Sequence, residues 1–359
     1  MKSNYKQLGE YIRQVDERNK SLMIDNLLGV SIEKRFIPSI ANIVGTDLSS
    51  YKIVRTGQFA YGPVTSRNGE KISIAYLDGE DCIISSSYTV FEVAKKDELD
   101  SEYLMLWFSR PEFDRYARYK SHGSVREIFD WNELCMVELP VPPIEEQRKI
   151  VQAYKTITDR IELKKKINDN IEAQAEAIYT EMIINNSANW QISTLGETST
   201  IKTGKLNSEA AVTNGIYPFF TCSQETYRTN TFSFNQEAVL LAGNNASAIY
   251  PLKIYCGKFD AYQRTYVISS KNKFVSNKQL YFVLKHQLNE FKGISSGTAT
   301  KFLTMKILAP IPVIIAPENI ANSFINATDK MFETIFQNQH EIEYLNELRM
   351  IILGELSRN

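Results

Sequence analysis

Leu139-Pro140-Val141-Pro142-Pro143-Ile144-Glu145-Glu146-Gln147-Arg148-Lys149-Ile150-Val151 is the stretch on which the fold turns. A short apolar run meets a proline pair, then two carboxylates, and the pattern then changes to helical spacing. Proline is tolerated just before and at the start of a helix, where no N–H is needed, and it stiffens the junction. Glu145 and Glu146 suit the positive end of the helix dipole. Beyond the junction, Ile150, Ile157, Lys164, Ile171 and Ile178 recur every seven residues. Tyr154, Ile161, Asn168, Ala175 and Met182 follow them four positions on. Few glycines or prolines interrupt, so the spacing predicts a helix from about Glu146 to Ile184, roughly 58 Å long at 1.5 Å per residue.

The same pattern returns 174 positions later. Phe324, Met331, Asn338, Leu345 and Ile352 form the second row, with Thr328, Ile335, Ile342, Arg349 and Leu356 beside them. An apolar seam of this period needs a partner, and the second helix is the obvious partner of the first. Both seams turn polar midway, at Lys164 and Asn168 in one and Asn338 in the other. Such residues weaken a coiled coil but fix its register.

The repeat extends upstream. Leu8-Gly9-Glu10 recurs as Leu195-Gly196-Glu197. Tyr88-Thr89-Val90-Phe91 recurs as Thr265-Tyr266-Val267-Ile268, and Tyr103-Leu104-Met105-Leu106 as Leu280-Tyr281-Phe282-Val283. Gly123-Ser124 returns as Gly297-Thr298, and Pro143 as Pro317. The order is the same in both halves, and loops of different length account for the changing offsets. Strand-like runs (Cys82-Ile83-Ile84, Ala238-Val239-Leu240-Leu241) are separated by turn signals such as Asn68-Gly69 and Asp78-Gly79. The expected architecture is α+β: two similar globular domains in tandem, each followed by a long helix, the helices pairing as an antiparallel coiled coil. The expected boundaries are 1–145 and 189–316 for the domains, and 146–188 and 317–359 for the helices.

Composition narrows the function. No stretch approaches the apolar length of a membrane span and the N-terminus lacks a signal-peptide core, so a cytoplasmic protein is expected. Cys82, Cys135, Cys222 and Cys256 are scattered and read as reduced thiols in or near the core. No metal site is expected. The net charge is −1, but residues 189–316 hold 13 basic and 6 acidic side chains. Phosphate contact needs local positive charge only. No glycine-rich dinucleotide or phosphate loop is present. Pro142-Pro143, between Val141 and Ile144, lacks the polar and aromatic flanks of an amino-methyltransferase motif. Glu162-Leu163-Lys164 sits mid-helix and reads as an exposed charge pair, not as part of a nuclease centre.

The junction string resembles the signature of the specificity subunit of type I restriction–modification systems. Trp190 with Leu195-Gly196-Glu197, Thr203-Gly204-Lys205 and Tyr217-Pro218-Phe219 are further matches, and the order domain, helix, domain, helix is that family's. The resemblance implies that each domain reads one half of a split double-stranded DNA target and that the helices set the gap. It implies docking of two modification subunits, which bring S-adenosylmethionine and methylate adenine. Two motor-nuclease subunits using ATP and Mg would join where the system restricts. The chain itself would hold no cofactor and no catalytic residue. The second junction, Ala316-Pro317-Glu318-Asn319-Ile320-Ala321, departs from the string: it has neither the proline pair nor the glutamine.

Candidate DNA contacts are polar and basic residues in loop-like segments, since base edges are read by hydrogen bonds and phosphates by cations. In the first domain they are Gln58, Tyr61, Arg67, Asn68, Lys120, Ser124 and Arg126. In the second they are Lys205, Asn207, Arg228, Asn230, Asn244, Asn245, Arg264, Thr298 and Lys301. Pro142, Pro143, Glu146, Gln147 and Pro317 are the candidate partner-docking residues at the junctions. Two other readings compete: a coiled-coil scaffold that binds no DNA, and a DNA methyltransferase or nuclease in its own right.

Overall fold

The computed structural model describes residues 5–39, 45–66, 68–123, 126–295 and 301–357. They form two compact units, Met1–Glu162 with Glu343–Asn359, and Leu163–Ile342.

The first unit is built on an antiparallel sheet in the order Ile12–Val15, Thr89–Val93, Phe59–Tyr61, Ile74–Tyr76. Phe59 pairs with Phe91 across the ladder, and their rings stack at 4.9 Å. Two helices, Ser101–Phe108 and Pro111–Lys120, accompany the sheet. Asp100 caps the first, its carboxylate accepting from the N–H groups of Glu102 and Tyr103. Phe59, Tyr61 and Phe91 share the main core with Phe108, Phe113 and Phe129. Their strand neighbours Ala60, Ala75 and Val90 join a second cluster with Val54, Cys82 and Ile84. The central strands are thus buried on both faces, which is why they read as apolar runs without alternation.

The second unit carries a six-stranded sheet in the order Ser199–Thr203, Thr265–Ser270, Phe234–Ala242, Leu252–Ala261, Tyr217–Phe220, Tyr227–Thr229. The helix Asn277–Ile294 lies in its core, capped by Ser276.

The repeat holds at the level of single pairs. Ile12 pairs with Val93, and Ser199 with Ser270. Tyr5 pairs with Pro140, and Ile192 with Ile314. The Leu8 N–H donates to the Val137 carbonyl, and the Leu195 N–H to that of Ile311, both at 2.8 Å. The glycine after each leucine permits this approach: a Cβ on Gly9 would lie 2.8 Å from Cys135 Cβ, and one on Gly196 3.2 Å from Ala309 Cβ. The aligned segments therefore occupy equivalent places in two copies of one fold, so their likeness is structural.

The long helices are Ile144–Tyr179, continued by a π-helical turn Thr180–Ile184, and Glu318–Glu355. Within the second unit they run antiparallel: Lys164 meets Asn338 and Glu341, while Tyr179 lies 6.1 Å from Phe324. The first unit shows the same sense, with Arg349 over the Tyr154 ring and Leu353 and Leu356 in one core with Val151. Of the first seam, Ile157, Ile161 and Ala175 are buried, while Ile150, Ile171 and Ile178 are partly buried. Of the second, Phe324, Thr328, Ile335 and Leu356 are buried, while Met331, Leu345 and Ile352 are partly so. Val151, Tyr179, Ile183, Phe332 and Leu353 are buried too, off the seven-residue rows. Each helix therefore lies on a globular core as well as on its partner, and its buried face is wider than a coiled-coil seam.

Only Cys82 of the four cysteines is fully buried, and burial pushes its thiol up to about 12. Cys135 and Cys222 are partly buried, whereas Cys256 is exposed at the surface of a strand and corrects the expectation of a core position.

Candidate nucleic-acid interface

In the second unit, main-chain hydrogen bonds tie five loop segments together. The Gly243 N–H donates to the Arg264 carbonyl at 2.7 Å, and the Leu303 N–H to that of Gly243 at 2.9 Å. Gly204 donates to Thr265, Gln263 to Leu206, and Tyr262 to Phe220. Asn244 and Asn245 pair with Phe302 and Lys301 in a short antiparallel ladder. Two glycines make the contact possible. A Cβ on Gly204 would lie 1.8 Å from the Ala261 carbonyl oxygen, and one on Gly243 2.4 Å from that of Arg264.

This cluster collects Lys205, Asn207, Asn244, Asn245, Arg264 and Lys301 from segments far apart in sequence. Lys205, Asn207 and Arg264 are exposed, and Lys301 is partly so. Three cations are thus carried, exposed or partly exposed, on segments whose main chains meet, and local positive charge of this kind is what phosphate contact needs. The asparagines differ. Asn245 Oδ1 accepts from the N–H groups of Ser247 and Ile249, so its acceptor is spent on shaping its own loop. Asn244 Oδ1 is buried without a hydrogen-bond partner. Arg228 and Asn230 lie on and just after the edge strand Tyr227–Thr229, outside the five segments.

The first unit has a smaller counterpart. Val64 bridges to Ile128, Thr65 donates to the Glu127 carbonyl, and Phe129 to that of Pro63. A cleft of about 210 Å³ opens beside them, lined by Gly62, Val64, Asn68, Ser73, Tyr88 and Arg126, among others. Arg126 is exposed. Lys120 is partly buried, 3.5 Å from Glu133 and over the Tyr116 ring.

Two expected contacts in this unit are corrected. Tyr61 is fully buried in the aromatic core, and burial raises its phenol pKa. Gln58 is also buried; its amide oxygen accepts from the Arg55 N–H and its amide nitrogen donates to Glu92, both at 2.9 Å. Each lies in or next to a central strand; Gln58 is held there by internal partners, whereas the Tyr61 hydroxyl is buried without a hydrogen-bond partner. Arg67, Ser124 and Thr298 lie outside the described residues.

At the first helix junction, Pro143 and Glu146 are exposed and Pro142 is buried. Gln147 is 0% exposed. Its Oε1 accepts from the Asp100 N–H at 2.9 Å, and its Nε2 donates to the Glu98 and Pro142 carbonyls, each at 2.7 Å. Gln147 therefore staples the helix start to the domain from inside, and its reading as a docking residue is corrected. The second junction has Ala321 at the matching position, also buried, and Pro317 is exposed. Both units still satisfy one equivalent carbonyl with a side chain from the domain helix. Tyr103 donates to Pro140, and Gln279 donates to Ile314.

Sequence reasoning missed Gly243, Phe302 and Gln263. Gly243 matters through its missing Cβ, and Phe302 through the Arg264 guanidinium 5.2 Å above its ring. The glycine before Asn244-Asn245 was the one visible signal; nothing local marked the phenylalanine.

Comparison with known proteins bears on the site. Residues 41–173 and 187–344 match the family described as type I restriction modification DNA specificity domain. The EcoDI specificity subunit of Escherichia coli, a type I restriction enzyme subunit, is 30% identical over 159 residues. That match spans 44% of this chain and 35% of the relative. The MjaIX specificity subunit of Methanocaldococcus jannaschii is 24% identical over 301 residues, 74% of this chain and 70% of the relative. The crystal structure of a type I system S subunit from M. genitalium covers 98% of this chain and 95% of its own, with a TM-score of 0.59 at 14% identity, a likeness of fold.

Proposed function

Because the chain belongs to the type I restriction–modification DNA specificity family, we propose that it is the subunit that selects the DNA sequence on which partner subunits act. Each unit reads one half of a split double-stranded target, and the paired helices set the gap between the halves. Two modification subunits dock on the helical part, bring S-adenosylmethionine and methylate adenine. Motor-nuclease subunits with ATP and Mg join where unmethylated DNA is cut. This chain contributes the address and no catalytic group. The exposed Pro143, Glu146 and Pro317 are the junction residues available to partners.

The observation that carries this reading is the duplication of one fold, each copy containing its own antiparallel stretch of the two long helices. A duplicated reader suits a two-part target, and the exposed cations of the second unit suit phosphates. Net charge alone would have hidden that surface.

The test is to map methylated adenines in DNA exposed to this chain with its modification partner. A split motif with a fixed gap is the expected result. Deleting one heptad from both helices shortens them by about 10 Å, roughly three base pairs. The gap should shrink accordingly, and an unchanged gap would remove the ruler from the reading.

A further inference from the structure

Arg264 differs from the other cations of the second unit in how it is held. It sits in the turn Tyr262–Thr265, closed by the Thr265 N–H donating to the Tyr262 carbonyl at 2.8 Å. Its own carbonyl accepts from the Gly243 N–H at 2.7 Å and from Cys222 Sγ at 3.4 Å. The backbone beneath the side chain is thus fixed from two neighbouring segments. Gly243 is there because any Cβ would collide with that carbonyl. Above this base, the guanidinium lies over the Phe302 ring, and Phe302 is held in register opposite Asn244. Among the described residues, no carboxylate or carbonyl takes the guanidinium N–H groups, and the residue is exposed.

A guanidinium packed on a ring keeps the edge that carries its N–H donors open. Its rotamer freedom is already restricted before any ligand arrives, so less is lost on binding. That arrangement suits a planar partner with two acceptors side by side. In DNA, the major-groove edge of guanine, O6 with N7, is such a partner. A phosphate also accepts from arginine, but it needs only a nearby cation, and Lys205 and Lys301 supply that without a platform.

We propose that Arg264 reads a guanine edge within the half-site taken by the second unit, and that Phe302 is the positioning residue that aims it. This rests on the DNA-selecting function above. It goes further by assigning one base, and one reason for its choice, to one side chain.

The experiment is the same methylation mapping, run on the complex of the full chain with its modification partner. Wild type is compared with Arg264→Ala, Arg264→Lys and Phe302→Leu. With Arg264→Ala, one guanine position in one half-site should relax, its preference over other bases falling about 5- to 150-fold. The other half-site and the gap should stay as they were. Arg264→Lys keeps the charge but loses the rigid planar fork that stacks on the ring, so the same position should relax by a smaller factor than with alanine. Phe302→Leu should relax it by a smaller factor, and circular dichroism of each variant confirms the fold. An even loss of methylation over all sites with the motif intact would mean a phosphate contact and overturn the proposal. So would an unchanged motif at unchanged rate. A wild-type complex that yields no split motif would overturn the function itself, an outcome distinct from either.

Discussion

Replacing Gln147 by leucine gives the sharpest test of the first helix junction. Leucine keeps much of the volume but none of the polar atoms. It leaves the Asp100 N–H and the Glu98 and Pro142 carbonyls without the partners they hold at 2.9, 2.7 and 2.7 Å. The side chain is fully buried, so water does not take over without moving the helix start. Each buried group left unsatisfied costs about 1–3 kcal/mol. Carbonyls tolerate the loss better than N–H groups, having two lone pairs. The expected loss is therefore about 3–5 kcal/mol, near the low end of the summed range. For a unit of this size each kcal/mol moves the midpoint by roughly 2–4 °C, so a fall of about 6–12 °C is expected at 3 kcal/mol. Thermal unfolding followed by tryptophan fluorescence reads it, with Trp190 replaced by phenylalanine so that Trp107 and Trp131 report on the first unit. Hydrogen exchange gives a local check, because the Asp100 amide should lose protection. A fall below about 1 kcal/mol with that amide still protected would refute the internal staple.

Two further outcomes follow from polar contacts of the long helices. Asn338 Nδ2 donates to Asn168 Oδ1 at 2.8 Å, and Lys164 Nζ donates to Asn338 Oδ1 at 2.8 Å and pairs with Glu341 at 2.7 Å. Changing Asn168 and Asn338 together to leucine, with the Lys164–Glu341 pair kept, should leave the stability of the second unit unchanged or raise it by about 1 kcal/mol, since replacing both partners of a buried hydrogen bond by apolar groups is near neutral or stabilising. A lower urea midpoint would contradict this. Glu176 contacts Lys285 and His286 at 2.8 and 2.9 Å. Burial pushes its carboxyl up, but these two partners outweigh burial and hold it below the usual carboxylate range. A carboxyl lowered by folding contributes stability that is complete above its unfolded value and is lost as pH falls through the folded one. Glu176→Gln should therefore flatten the loss of stability below roughly pH 4.5, and urea midpoints that fall in parallel with wild type would contradict it.

Much of the architecture was legible along the chain because it rests on local periodicity and on a copied pattern. The heptad rows and the proline-carboxylate junction specify helices through residues a turn or two apart. The offsets between the halves reappear unaltered in the strand pairs Ile12–Val93 and Ser199–Ser270. The helix faces were less legible. Phe332 and Leu353 are buried off the rows because each helix also lies on a globular core, which its own spacing does not reveal.

The site divides along the same line. Residue type marked polar loops, and six of the second unit's candidates do gather on one set of hydrogen-bonded segments. Type and neighbourhood alone did not separate Gln58 and Tyr61, turned into the core, from Arg126, turned out of it. The sequence by itself determined the duplication and the two long helices, because a repeated pattern and a short period are properties of the chain. Only the tertiary structure decided that Gln147 faces inward and that Gly243, Phe302 and Arg264 meet, because these contacts join segments tens of residues apart, whose meeting depends on how strands and helices pack.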